Sequence, residues 1–259
     1  MIIYALANQK GGVAKTTSTV NLAIGLARAG KRVLAVDLDP QSSLTISLGY
    51  HDPDQLPHSI SEILHHIIND QDFDPKQGIL THPEGIDLMP SNITLAEMEM
   101  NIFHATRREY ILQSYLDLLQ EDYDVVILDC SPSLGQVTLN ALTCANRLII
   151  PIQAHFLSLK GMEQLFHTIQ KVKKRLNRSL EISGILVTLA NLQTNFSKEI
   201  LAVMQEVYGE AIHIFPQPIP SSIRVVEASA EGCSIFLHDP KGKATQAYTA
   251  LVEEVLQEL

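Results

Sequence analysis

The stretch IIYALANQKGGVAKTT at the start of the chain constrains the fold more than any other. It joins a buried-type strand to a helix through a turn holding two glycines and two lysines. Ile2 to Ala7 form a short apolar run of strand-forming residues, and Val20, Leu22, Ala23 and Leu26 recur afterwards at helical spacing. Between them runs Lys10-Gly11-Gly12-Val13-Ala14-Lys15-Thr16-Thr17. Glycines let the backbone approach a ligand closely, and a helix N-terminus offers N–H groups and the positive end of its dipole. Such a turn is a phosphate cradle: residues 11 to 17 line the oxygens, Lys15 neutralises the β/γ-phosphates and Thr16 offers its hydroxyl to Mg²⁺. A lysine drawn inward at a helix start is costly without an anion beside it.

The ordinary spacing G-x-x-x-x-G-K-[ST] is met only in part, because Gln9 and Ala14 stand at its glycine positions. The string Lys10-Gly11-Gly12-x-x-Lys15-Thr16 resembles instead the deviant Walker A motif of the ParA/Soj/MinD family of dimerising ATPases. Val36-Asp37-Leu38-Asp39-Pro40-Gln41 is similar to that family's switch I, and Val125 through Leu134 to its Walker B and switch II. Ile150-Pro151-Ile152-Gln153, Ile219-Pro220, Arg224, Glu227-Ala228 and Asp239-Pro240 resemble the chromosomal ParA (Soj) branch, so the likeness covers nearly the whole chain in order.

The resemblance implies a Mg²⁺-dependent ATPase that hydrolyses ATP to ADP and phosphate. Lys10 corresponds to the signature lysine that reaches the partner's nucleotide in an ATP-bound homodimer. Asp39 corresponds to the residue that positions or activates the attacking water, Asp37 to one supporting the Mg²⁺ shell, and Asp129 to the Walker B carboxylate that holds Mg²⁺ through water. Pro218 and Pro220 are placed beside the adenine, although a rigid connection explains them equally well. Ala14 replaces the family's usual glycine. Its methyl group costs nothing if the residue is already right-handed helical, whereas a required positive φ would lower affinity or turnover. Binding is expected to survive, with slow hydrolysis.

Apolar segments alternate with helical patterns from end to end, which predicts an α/β fold: one domain over 1–259, a doubly wound, mostly parallel sheet flanked by helices, of the P-loop NTPase type. The predicted strands are Ile2–Ala7, Arg32–Asp37, Ile86–Met89, Asp124–Asp129, Arg147–Ile150, Ile182–Leu189 and Ile212–Phe215. The predicted helices include Lys15–Ala29, Ile60–Ile68, Arg107–Glu121, Leu157–Leu176, Asn195–Tyr208 and Lys243–Glu258, with Gly30 capping the first. Ligands of such sheets sit beyond the carboxyl ends of the strands, where the three motif-bearing segments converge.

The net charge of −10 excludes a surface that attracts polyanions as a whole, so binding to DNA needs a local basic patch. Candidates are Lys171, Lys173, Lys174, Arg175 and Arg178 on a helix end, with Arg224, Lys241 and Lys243 from the C-terminal part. Gln193 and Ser221 stand where related ParA proteins often carry arginine, which weakens the expectation of non-specific DNA binding without removing it. A ParB-like partner that stimulates turnover is implied by the resemblance alone. No apolar run approaches a membrane span, and the final helix carries Glu253, Glu254 and Glu258 without a basic residue after Lys243, so a membrane role is not expected. The expected location is cytoplasmic, on the nucleoid. Cys130, Cys144 and Cys233 have no paired spacing, which argues against a disulfide, a zinc site or a cluster-bearing ATPase. The histidine-rich segment from Gly49 to Pro83 reads as a solvated insert around one helix. Plasmid or chromosome partitioning is the leading functional reading. The alternatives are a positioning ATPase for a protein cargo (organelle, chemotaxis cluster or conjugation machinery) and a metabolic ATP-dependent enzyme.

Overall fold

A computed structural model describes residues 1–154, 156–191 and 194–259, with the side chains of all of these except 156–161 and 195–198. Seven strands form one sheet in the order β3-β4-β2-β5-β1-β6-β7. They are β1 (Ile2–Leu6), β2 (Val33–Leu38), β3 (Leu80–Thr81), β4 (Asp87–Met89), β5 (Val125–Cys130), β6 (Arg147–Gln153) and β7 (Glu181–Thr188). All neighbours are parallel except β3 and β4.

Strand residues alternate between two cores, as the two-residue period of a strand requires. Ile3, Ala5, Leu34, Val36, Val126 and Leu128 belong to one buried cluster, and Tyr4, Leu6, Val33, Ala35, Val125 and Ile127 to the other. The first face is covered by α3 (Ile60–Ile68), α4 (Leu95–His104), α5 (Ile111–Asp117), α6 (Gln136–Cys144) and α7 (Phe156–Arg175). The second is covered by α1 (Lys15–Arg28) and α11 (Lys243–Leu256). These two helices pack closely because α1 carries Gly25, where an added Cβ would lie 2.4 Å from Val252 Cγ2. The remaining helices are α2 (Ser43–Ser47), α8 (Asn195–Tyr208), α9 (Ile223–Ala230) and α10 (Ile235–His238), with a 3₁₀ turn at Pro53–Gln55.

The expected cap of α1 is present: Gly30 has φ +87°, its N–H reaches Ala27 O, and Lys31 N–H reaches Leu26 O, which is a Schellman closure. Two expectations are corrected. Ile212–Phe215 is not a strand; it makes one isolated bridge, Ile214 to Ile185, because Pro216, Pro218 and Pro220 cannot donate to a continuing ladder. The helix expected over Arg107–Glu121 shrinks to α5, since Arg107 takes φ +51° and residues after Asp117 close i→i+3 turns.

Candidate nucleotide site

The loop between β1 and α1 is held from behind. Gln153 Nε2, at the end of β6, donates to Gly12 O at 2.7 Å, and Thr188 Oγ1, at the end of β7, donates to Val13 O at 2.9 Å. Lys15 Nζ donates to Lys10 O at 3.3 Å. A trans peptide sets its C=O and N–H on opposite sides, so these bonds turn the N–H groups of Gly11, Val13 and Ala14 the other way. Together with the unpaired first-turn N–H groups of α1 they make an anion nest.

Two loop residues are left-handed, Gly12 at φ +69° and Ala14 at φ +58°, ψ +35°. The right-handed possibility for Ala14 is thereby overturned. Its Cβ bears the steric cost that glycine avoids, about 1 kcal/mol. Lys15 is buried at 7 % exposure, and burial lowers its ammonium pKa. The one hydrogen bond of its Nζ among the described residues goes to a neutral carbonyl. A phosphate in the nest would complete it.

Thr16 Oγ1 donates to Asp129 Oδ2 at 2.7 Å, while Thr19 Oγ1 lies 3.2 Å from both Asp129 Oδ1 and Lys15 O. Because the Thr16 proton points to Asp129, both lone pairs of its oxygen stay available to a hard cation. Asp129 and Asp37 are direct partners across β5 and β2, and both side chains are almost fully buried. Burial pushes Asp129 up to about 6, opposed by the Thr16 bond and the Lys15 charge. Burial and then the Asp129 charge push Asp37 up to about 7. A hydroxyl with free lone pairs beside two electrostatically unfavourable carboxylates is an oxygen donor set that suits Mg²⁺.

Asp37 is committed within its own turn: Oδ1 accepts Asp39 N–H at 3.1 Å, and Oδ2 accepts the N–H and hydroxyl of Thr45, on α2, at 2.9 and 2.7 Å. It therefore fixes the segment that presents Asp39. Asp39 is half-buried and accepts Gln41 N–H at 2.9 Å, an Asx turn. Lys10 is half-buried, its N–H held by Asn8 Oδ1 at 3.0 Å and its Nζ 3.4 Å from Gln153 Oε1. Thr17 is half-buried in the first turn of α1. Pro218 and Pro220 flank Ile219, whose N–H and C=O bond Val187 O and Ala190 N–H, so this segment runs beside the β7 end that holds the loop.

The basic residues do not gather on one side. Lys171, Lys173, Lys174, Arg175 and Arg178 are all exposed around the C-terminal end of α7, which returns the chain to the start of β7 and so lies at the amino edge of the sheet. Lys241 and Lys243 precede and start α11, whose far end places Glu258 against Tyr4 and Ser183, so both lie toward the carboxyl edge. Arg224, on α9 near that same edge, is paired with Glu227 at 3.0 Å. Ser221 is exposed, and Gln193 lies outside the described residues.

Sequence reasoning missed the positioning residues Asn8, Thr19, Thr45 and Thr188, and it treated Gln153 only as part of a motif. Asn8 Nδ2 donates to Pro151 O at 2.6 Å and so ties the loop to β6. Thr19 had a readable signal, since it lies on the same helical face as Thr16. Thr45 and Thr188 had none, because their partners are fixed by tertiary structure.

Residues 1–182 match the family model described as AAA domain. The chain is 37% identical over 254 residues to the sporulation initiation inhibitor protein Soj of Bacillus subtilis, covering 98% of this chain and 97% of that protein. It is 36% identical over 258 residues to the chromosome partitioning protein ParA of Myxococcus xanthus, covering 98% and 88%. A solved structure of cobyrinic acid a,c-diamide synthase from Mycobacterium smegmatis with bound ATP analog and magnesium superposes with a TM-score of 0.87 at 38% identity, covering all of this chain and 95% of the other. With the loop, the Thr16–Asp129 pair and full-length similarity in agreement, the chain belongs to the ParA/Soj family of P-loop ATPases.

Proposed function

We propose that the protein is a Mg²⁺-dependent ATPase whose ATP-bound form is a homodimer that binds DNA non-specifically and partitions plasmid or chromosomal DNA, with a ParB-like protein accelerating turnover. The observation that carries the reading is the pairing of a loop lysine, Lys10, with the buried Lys15 around one anion nest. In this reading the nest of residues 11 to 17 and Lys15 bind the phosphates of ATP, and Pro218 and Pro220 border the base. Thr16 ligates Mg²⁺ directly, Asp129 holds it through water, and Asp37 keeps the Asp39 turn in place. Held by Thr16 and Asp129, Mg²⁺ would supply positive charge against the charge that develops on the phosphates. Asp39 orients the attacking water. Lys10 leaves Gln153 and reaches the partner's phosphates, so ATP joins two subunits and ADP does not.

Among the described residues none of Lys171, Lys173, Lys174, Arg175 and Arg178 forms an ion pair, which favours this group over Arg224 as the main DNA surface. Lys241 and Lys243 would add phosphate contacts from the opposite edge. The test is mass in solution with ADP and with a non-hydrolysable ATP analogue, then with non-specific duplex DNA at low and raised salt. A dimer formed only with the analogue, binding DNA and releasing it steeply with salt, supports the proposal. An ATP-dependent dimer indifferent to DNA indicates a protein cargo instead. The similarity to a diamide synthase favours one further reading, ATP-dependent amidation of a small acid. A monomer in every condition would point there.

A further inference from the structure

The turn after α9 and the end of α10 together carry a cluster that the proposed nucleotide site does not use. Glu231, Cys233 and His238 each present one donor atom, and the three atoms lie within 4.8 Å of one another. His238 is clamped on both ring nitrogens: Nδ1 lies 2.9 Å from Glu231 Oε2, and Nε2 lies 3.2 Å from Glu227 Oε2. Its side chain is only 12 % exposed. Thiolate, imidazole and carboxylate are the ligand types of zinc, and a ligating histidine typically hands its second ring N–H to a carboxylate. Glu227 stands in that outer place, with Nδ1 turned to Glu231.

We infer that Glu231, Cys233 and His238 form a binding site for a zinc-class divalent ion, with Glu227 orienting the imidazole and a fourth position left to water. Glu231 is exposed, which gives the ion a path in. Binding releases two protons to solvent, one from the Cys233 thiol and one from His238 Nδ1, and replaces the His238–Glu231 hydrogen bond by metal bonds to Nδ1, the thiolate and the Glu231 carboxylate.

The site has a structural reach. Gly232, between two ligand-bearing segments, backs onto the end of α2: an added Cβ there would sit 2.6 Å from Gly49 Cα. Gly232 O faces His82 Nε2 at 3.1 Å, and the N–H of Ser234 donates to Glu84 Oε1 at 2.7 Å. A bound ion would brace the wall behind the helix that holds Asp37.

The test is titration of the full chain with Co²⁺, reading thiolate-to-cobalt charge transfer in the near ultraviolet. One equivalent should produce the band, Zn²⁺ should abolish it, and Zn²⁺ alone at a hundredfold excess over its Kd should raise the melting midpoint by about 5 °C. Cys233→Ser should remove the band and the shift while leaving the metal-free midpoint unchanged. Cys130→Ala, which removes the thiol beside the Mg²⁺ site, should keep the band. Glu227→Gln should weaken Co²⁺ binding about 10- to 100-fold. No band in the unmodified chain, or one that survives Cys233→Ser, would overturn the inference and leave His238 as an imidazolium clamped by two glutamates.

Discussion

The two ends of β5 carry the same residue type in opposite conditions. At the amino end, Asp124 accepts the Arg32 N–H and Nη2 at 2.8 Å each, and these bonds hold its carboxyl down at about 2. Lys76–Asp122 and Arg147–Glu181 are further exposed pairs of the same kind. At the carboxyl end, Asp129 and Asp37 are enclosed with their pKa values raised, beside a lysine whose own pKa is lowered. Charges at one end close on themselves, while those at the other weaken the empty fold. Groups that cost stability in the absence of a ligand are explained by what they hold when it is present.

The largest effect should come from breaking the costly end. Asp129→Asn should lower ATP hydrolysis by about 10²- to 10³-fold in a phosphate-release assay, without lowering the melting midpoint. An unchanged rate would make Asp129 a capping residue only.

The next contrast is pH. Asp37 and Asp129 have folded pKa values above their unfolded ones, so the folded chain binds more protons between about pH 4 and 7. Their contribution is therefore full below about pH 4 and is lost as pH rises through about 6 and 7. Asp124 has the opposite sign: its contribution is present above about pH 4 and lost as pH falls toward 2. Between pH 5 and 8 the nucleotide-free midpoint should fall by about 5 °C, and Asp129→Asn or Mg²⁺ with an ATP analogue should flatten the curve. A midpoint that rises over this range would contradict the assignment.

Ala14→Gly should relieve about 1 kcal/mol of left-handed strain that the free fold already carries, read as a melting midpoint higher by about 2 °C with nucleotide affinity, by fluorescence titration, changed less than about twofold. A gain in affinity far beyond tenfold would mean that the alanine distorts the whole loop. The smallest effect belongs to the self-satisfied end: Arg32→Ala should barely move the denaturant midpoint, because a solvent-exposed ion pair is screened, and should leave ATP turnover unchanged.

The doubly wound sheet and most of its strands were legible because strands buried on both faces read as continuous apolar runs. The strand–turn–helix loop proposed to hold phosphate was legible because its pattern is local in sequence. What escaped depends on the third dimension. Ile212–Phe215 has the composition of a strand, yet the prolines beyond it stop the ladder. Helices α4 and α6 were not identified, although Leu95, Met98 and Ile102 repeat at helical spacing. The N-terminus of α6 depends on Glu99, whose carboxylate accepts the N–H groups of Gln136 and Val137 at 2.6 and 3.2 Å across the gap from α4. The sign of φ at Ala14 could not be read from an alanine in a glycine's place.

The interior position of β1 has a consequence for synthesis on the ribosome. β1 is made first but lies between β5 and β6, and Tyr4 within it is bonded by Glu258 at 2.9 Å. At elongation rates of about 5–20 residues per second, its first partner strand follows many seconds later. A nascent chain thus exposes the phosphate loop on an unpaired strand, with no settled site for nucleotide. The loop can take its final form only once β5 and β6 have emerged to flank β1, so nucleotide binding should lag the synthesis of β6.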